Sequence, residues 1–596
     1  MSYIIDFIIP LVYFICTNGV SVLLFKKSFG KCLPMTLMAT SFIVFLSQVF
    51  FKTFIVGYII NILLLPLLVF LLIKNKNNIE DFKKNFFSNG FYIFILFYFI
   101  LFFFDLNRQL MKWDEYSHWG VMVKEMFRLD KFYSTKHSTL LVHKDYPPII
   151  PIYELFYAKL TFSFKGEILI KALRLFNFSL IIPFLEDANN KKNTVIKSTI
   201  CLVVLFLIIL LFDQHDVINT IYIDYTVSLL TAYLLSFIFM EKDMFDKFNI
   251  INILIVLSFL MLSKQIGLPF CLMVMFIYGG KVLLMKNDKK KSIIVIALIT
   301  IIPLVFFIGW NRYVSTLNID KQFVISDVVG KRTKKWQKQA ATNYVNAVNN
   351  YSLVTSYLKI NYITWLVIVL VLLYLICRKE YNRKERILLG ITYTLGFIGY
   401  YFVMLALYTT SFGPDEGVGI ASFNRYMPSF VLICVSSLYM ILINKISIKK
   451  ILIILIIMIY IQDTAQLTKM IPKVKKNSKH IFEMKAEKIK KYTKKNSKVF
   501  VIAQNTVGEY QYGINFYLDS QVTNPKYYLF PIHGNNYKNF YYDIEDYLFE
   551  YDYLFISNID PIFPELYDFM FDERPEENNI YKIDKKNHKF ILIKGE

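Results

Sequence analysis

Ser198-Thr199-Ile200-Cys201-Leu202-Val203-Val204-Leu205-Phe206-Leu207-Ile208-Ile209-Leu210-Leu211-Phe212 carries no charge and no helix breaker. As a helix rising 1.5 Å per residue, such a run approaches the roughly 30 Å of a bilayer's hydrocarbon core. Similar runs recur through the first 470 positions, starting near 4, 33, 54, 90, 168, 198, 217, 250, 268, 293, 361, 387, 428 and 451. The reading is a polytopic α-helical membrane protein with about fourteen spans. Composition agrees: of 596 residues 56% are hydrophobic and 19% charged, and the mean hydropathy is +0.44. Such a chain cannot cover its apolar surface as a soluble domain, a coiled coil or a disordered segment.

The net charge of +22 would suggest a nucleic-acid partner in a soluble protein. Here the excess gathers in every second short connection, as at Lys26, Lys27 and Lys31, at Lys83 and Lys84, or at Arg378, Arg383 and Lys384. That pattern places these loops in the cytoplasm and removes nucleic acid from the expected partners. Both termini, the connections 105–167 and 311–360 and the tail then fall outside a multi-pass cell membrane. The expected organisation is a membrane module over 1–468 and a small extracytoplasmic α/β domain over 469–596, with strands at Val499–Ala503, Tyr553–Ser557 and Phe590–Ile593. Six cysteines without a CxxC pair suggest neither a disulfide framework nor a zinc cluster.

The first outer connection carries Trp113-Asp114-Glu115-Tyr116-Ser117-His118-Trp119-Gly120 and ends in Asp145-Tyr146-Pro147-Pro148. Helical spacing sets Trp119, Met122, Met126 and Leu129 on one stripe and Asp114, His118 and Glu125 on another face, so the segment is expected to lie flat at the interface with its acids upward. Adjacent acids beside a span must face water, protein or a ligand, which makes them a candidate site. Complementing the dipole of an interfacial helix accounts for them equally well.

The acid pair in the first outer loop, the helix behind it, the aromatic-Pro-Pro turn, the many spans and the outer C-terminal domain together resemble the GT-C superfamily of integral-membrane glycosyltransferases, such as protein mannosyltransferases and aminoarabinose transferases. The resemblance is architectural over the chain and motif-level over residues 113–148. It implies a sugar donor on a polyprenyl phosphate or diphosphate, a glycan or lipid acceptor, and inversion at the anomeric carbon. It also implies that Asp114, with Glu115 beside it, serves the acceptor by deprotonating its hydroxyl or by holding a divalent metal ion.

Such a donor needs positive charge at its leaving phosphate. Lys264 and Arg425 each stand at the outer end of a span, where Arg can grip a phosphate bidentately and Lys can act as a point charge; snorkelling is the bland alternative. His118, one turn after Asp114, could orient the carboxylate or touch the phosphate. Tyr146 lies in the turn that ends the loop, and Asp415 and Glu416 sit in a Gly-rich stretch, Thr409 to Ser422, that reads as a flexible lid or acceptor loop. The basic group Lys331, Arg332, Lys334, Lys335 and Lys338 could steer an anionic lipid or simply be solvated. His118, His137, His143 and His215 with Asp213 and Asp216 supply metal-type ligands, although no spacing matches a ligand motif and ordinary surface histidines fit better. A flippase for lipid-linked sugars and a polymerase or ligase for surface glycans are the competing functions.

Overall fold

The computed structural model describes residues 2–135, 138–186, 194–213, 217–285, 289–317, 319, 334–350, 360–378, 381–443, 445–462, 480–504, 506, 508–518 and 550–593. Apolar runs become helices: α1 (Ser2–Phe25), α2 (Phe29–Phe51), α3 (Ile55–Lys74), α4 (Ile79–Phe86), α5 (Asn89–Phe104), α6 (Gly120–Leu129), α7 (Ile149–Leu160), α8 (Gly166–Ser179), α9 (Thr194–Phe212), α10 (Asp224–Met240), α11 (Lys247–Met261), α12 (Gly267–Leu284) and α13 (Lys289–Thr316). After them come α14 (Lys335–Asn350), α15 (Tyr362–Cys377), α16 (Arg383–Ala406), α17 (Pro414–Val418), α18 (Phe423–Leu442) and α19 (Ile448–Ile461).

Among the described residues, eight helices are long and apolar enough to cross a membrane. A ninth arises if Lys76–Phe86 and Asn89–Phe104, bent by 55°, count as one span. The apolar segments at Asp224–Met240, Lys247–Met261 and Tyr362–Leu375 are shorter. Eight or nine is fewer than the fourteen apolar runs, and α8 shows one cause: it has 14 residues and buries Glu167, Lys171 and Arg174. Its amphipathic spacing packs it inside protein rather than against lipid.

Two surfaces separate the helices. α3 turns Ile59, Leu63, Val69 and Phe70 outward, and α13, α16 and α19 do the same with Ile, Leu and Val, the apolar exterior of a protein whose solvent is hydrocarbon. By contrast α10 and α18 are buried almost throughout. They meet through small residues, Ser236 Oγ donating to the Ser437 carbonyl at 3.0 Å. Two glycines permit a second close crossing: a Cβ on Gly90 would lie 2.7 Å from the Gly30 Cα. One oxygen of Glu186 accepts both glycine amides, at 2.8 and 3.1 Å, and so caps the first turns of α2 and α5 together.

The fully buried Asp105, just past α5, binds Arg108 Nε at 2.9 Å and Arg174 Nη1 at 2.8 Å. Both guanidiniums also donate to Asn219 Oδ1, each at 2.9 Å. Asp105→Ala would leave two arginines in low dielectric without their carboxylate. We expect it to cost about 3–5 kcal/mol, read as a lowered midpoint of unfolding in detergent.

The described chain divides into two compact units, one of residues 1–108, 126–135 and 143–473, the other of 109–125, 136–142 and 474–596. The second therefore takes in the Asp114 segment as well as the tail. Its sheet runs β1 (Val499–Ala503), β2 (Tyr553–Asn558), β3 (Ile580–Asp584), β4 (Lys589–Leu592) in spatial order, with β1 and β2 parallel and the other pairs antiparallel. Phe500, Ile502, Leu554, Ile556, Phe571, Tyr581 and Phe590 form its core.

Candidate functional site

In the first unit, three chain segments converge on one carboxylate. Asp224 opens α10, Lys264 lies in the turn between α11 and α12, and Arg425 lies in the first turn of α18. Lys264 Nζ stands 2.7 Å from Asp224 Oδ1, and Arg425 Nε 3.4 Å from Oδ2. Arg425 also donates from Nη2 to the Tyr426 hydroxyl at 2.7 Å, and its guanidinium lies over the rings of Tyr222 and Tyr426, 4.9 and 4.8 Å from their centroids. The Tyr426 ring lies 5.4 Å from the Lys264 ammonium as well. Aromatic faces thus help Asp224 to offset two largely buried cations.

The loop before α7 closes on this cluster. Gln265 donates to Asp145 Oδ2 at 2.9 Å, Trp310 Nε1 to the Asp145 carbonyl at 3.0 Å, and Tyr133 to the Tyr146 carbonyl at 2.6 Å. His143, at φ 57°, stacks on Tyr146 with ring centroids 4.3 Å apart. Burial, then the charges of Lys264 and Arg425, push its pKa down from 6.5 to about 3. The folded state thus stays unprotonated where the unfolded chain takes up a proton, so this histidine makes stability rise with pH between about 3 and 6.5. The slope is up to about 1.4 kcal/mol per pH unit. His143→Gln should remove that component from the pH dependence of thermal unfolding. Beside the cluster, Tyr222 and Tyr225 also line a small pocket of about 40 Å³ whose other walls include Leu173, Arg174, Asn177 and Phe206.

In the second unit, Glu115–Trp119 forms a π-helical turn that leads into α6. Asp114 just precedes it and is partly exposed, whereas Glu115, His118 and Glu125 are buried. The acids therefore do not share an upward, solvated face. Glu115 Oε2 accepts the Met111 and Lys112 amides at 2.6 and 2.7 Å, and Glu125 Oε2 accepts the Thr139 amide at 2.9 Å. Each satisfies backbone donors that burial would otherwise strand. His118 Nδ1 lies 2.7 Å from Ser117 Oγ. The motif's aromatics pack against the tail: Trp113 on Tyr512, Tyr116 on Phe482 and Phe516, while Lys124 binds the carbonyls of Phe516 and Leu518.

Asp415 and Glu416 are exposed on α17, directly after a second π-helical turn, Leu407–Ser411. The surrounding loop is tied down rather than loose. Tyr408 donates to the Ala421 carbonyl, Gln337 to that of Thr409 and Asn343 to that of Val418, at 2.9, 2.7 and 2.9 Å. Lys335 and Lys338 lie on α14, and Lys331 and Arg332 fall outside the described residues, as do His137, His215 and Asp216. Asp213 accepts the Val217 and Ile218 amides at 2.8 and 2.9 Å, closing its own loop. Among the described residues no group of three or more His, Cys, Asp or Glu side chains is placed to hold a metal ion.

Asp224 carries no motif. Its one trace in the sequence is a lone acid between Tyr222 and Tyr225 at the head of an otherwise apolar run. No family model, curated protein or solved structure matches the chain.

Proposed function

We propose that this protein is a membrane-embedded inverting glycosyltransferase of GT-C type. In this reading it spans a cell membrane about fourteen times, with both termini and the tail domain outside, and moves a sugar from a polyprenyl-phosphate or diphosphate donor to a cell-surface glycan or lipid. The observation that carries it is the convergence of Lys264 and Arg425 on one buried carboxylate. Two cations held at a single point at the ends of apolar helices suit a lipid phosphate.

In the reaction, an acceptor hydroxyl oxygen attacks the anomeric carbon from the side opposite the phosphate. Its proton passes to the Asp114 carboxylate as the new C–O bond forms. The bond between the anomeric carbon and the phosphate oxygen breaks with its electron pair going to the phosphate, whose growing charge Lys264 and Arg425 offset. Glu115 acts on this step indirectly, by holding the backbone at Met111 and Lys112. His118, Tyr146, Asp415 and Glu416 are assigned to substrate contact, and no step is routed through a metal.

A flippase for the same lipid is the second reading, favoured by the charges that Asp105, Arg108, Arg174 and Asp224 bury among the helices. Purified protein in detergent, given a radiolabelled lipid-linked sugar and an acceptor extract, distinguishes the two. The enzyme converts donor to free polyprenyl phosphate and glycosylated acceptor; a flippase leaves the donor chemically unchanged.

A further inference from the structure

We infer that Asp224 is an internal stand-in for the donor's phosphate, a positioning residue that holds Lys264 and Arg425 in place between turnovers and yields them to the incoming ligand. The inference rests on the phosphate reading above and deepens it. Lys264 and Arg425 come from separate helical segments and are both largely buried, so an anion at this point favours holding them together. Asp224 supplies two oxygens, one to each cation, at 2.7 and 3.4 Å. Two oxygens of a phosphate could take the same two partners. The longer, Arg425 contact is the one a ligand could take over first, because Arg425 keeps its Tyr426 hydroxyl and its two aromatic rings.

The three side chains carry one net positive charge, and the neutral His143 adds none. A ligand phosphate therefore competes with Asp224 for the cations as it binds, and Asp224 competes with the product phosphate as it leaves. A carboxylate that only braced the fold would behave differently when neutralised: the cations would lose their place and phosphate binding would weaken.

The test measures dissociation constants of farnesyl phosphate for the full-length protein in detergent at fixed salt. Asp224→Asn should bind at least about tenfold more tightly than the parent, because one opposing charge is gone. In turnover with the lipid-linked sugar it should lower both donor KM and kcat, since tighter product binding slows release. Should Asp224→Asn fail to fold, the pair Lys264→Met and Lys264→Met with Asp224→Asn keeps the question open to measurement. The double variant should bind more tightly than Lys264→Met alone. Tighter binding in either comparison supports the inference. Parent binding together with unchanged or weaker binding on loss of Asp224 overturns it and leaves the phosphate site standing. No binding by any of these proteins overturns the phosphate reading itself.

Discussion

Asp114→Asn is expected to lower sugar transfer by about 10²- to 10⁴-fold, the range for loss of a positioned general base. The substitution keeps size and shape, exchanges one acceptor oxygen for an N–H donor and removes the charge and the basicity. Asp114 is partly exposed at the lip of the π-helical turn, so its amide should be accommodated without a packing penalty. Donor binding, measured with a lipid phosphate, should be unchanged. Glu115→Gln makes the informative contrast. Its buried carboxylate is occupied by the Met111 and Lys112 amides, so that variant should lose stability and activity together, as a positioning residue does. Turnover by Asp114→Asn at the parent rate would remove Asp114 from the chemistry and leave the loop with a packing role alone.

The second large effect belongs to Arg425. Arg425→Ala should raise the donor dissociation constant roughly ten- to a hundredfold, the equivalent of losing a charge-assisted bond of about 1.5–3 kcal/mol. Arg425→Lys should cost less, because it keeps the charge, yet it should not restore the parent value. The planar guanidinium reaches Asp224 from Nε and Tyr426 from Nη2 while lying over two rings, a set of contacts that an ammonium cannot reproduce. Equilibrium binding of farnesyl phosphate checks both variants, and equal affinities for Ala and Lys would mean that the fork has no part in recognition.

What could be read in the sequence followed from local pattern. Uncharged runs such as 198–212 became helices because only a helix satisfies its own backbone in hydrocarbon, and β1 begins and ends at Val499 and Ala503 as its β-branched and aromatic content predicts. Lys264 and Arg425 were visible as cations beside apolar runs. Their meeting point was not, since Asp224 gains meaning only when α10, α12 and α18 pack together. The surroundings of α8 were hidden for the same reason: Arg174 finds Asp105 and Asn219 in segments far from it in sequence, so the helix packs inside protein. Asp114 and Glu115 read as a pair because they are adjacent. Successive residues of a helix point about 100° apart, and here that step separates a partly exposed acid from a fully buried one. The Gly-rich stretch from Thr409 looked loose by composition, yet hydrogen bonds from Tyr408, Gln337 and Asn343 hold it. Strand β3, Ile580–Asp584, is short and pairs with β2 and β4, so its identity depended on partners that no local pattern names.

The central claim is that Lys264 and Arg425 hold the phosphate of a lipid-linked donor. Photolabelling tests it most directly, using a farnesyl phosphate that carries a diazirine on the carbon next to the phosphate, with the purified protein in detergent and peptide mapping of the adducts. The account predicts labelling at Tyr222–Tyr225, around Lys264 and at Phe423–Tyr426, abolished by excess unlabelled polyprenyl phosphate and reduced in Arg425→Ala. Competable labelling confined to other segments, with these three peptides unmodified, would contradict it.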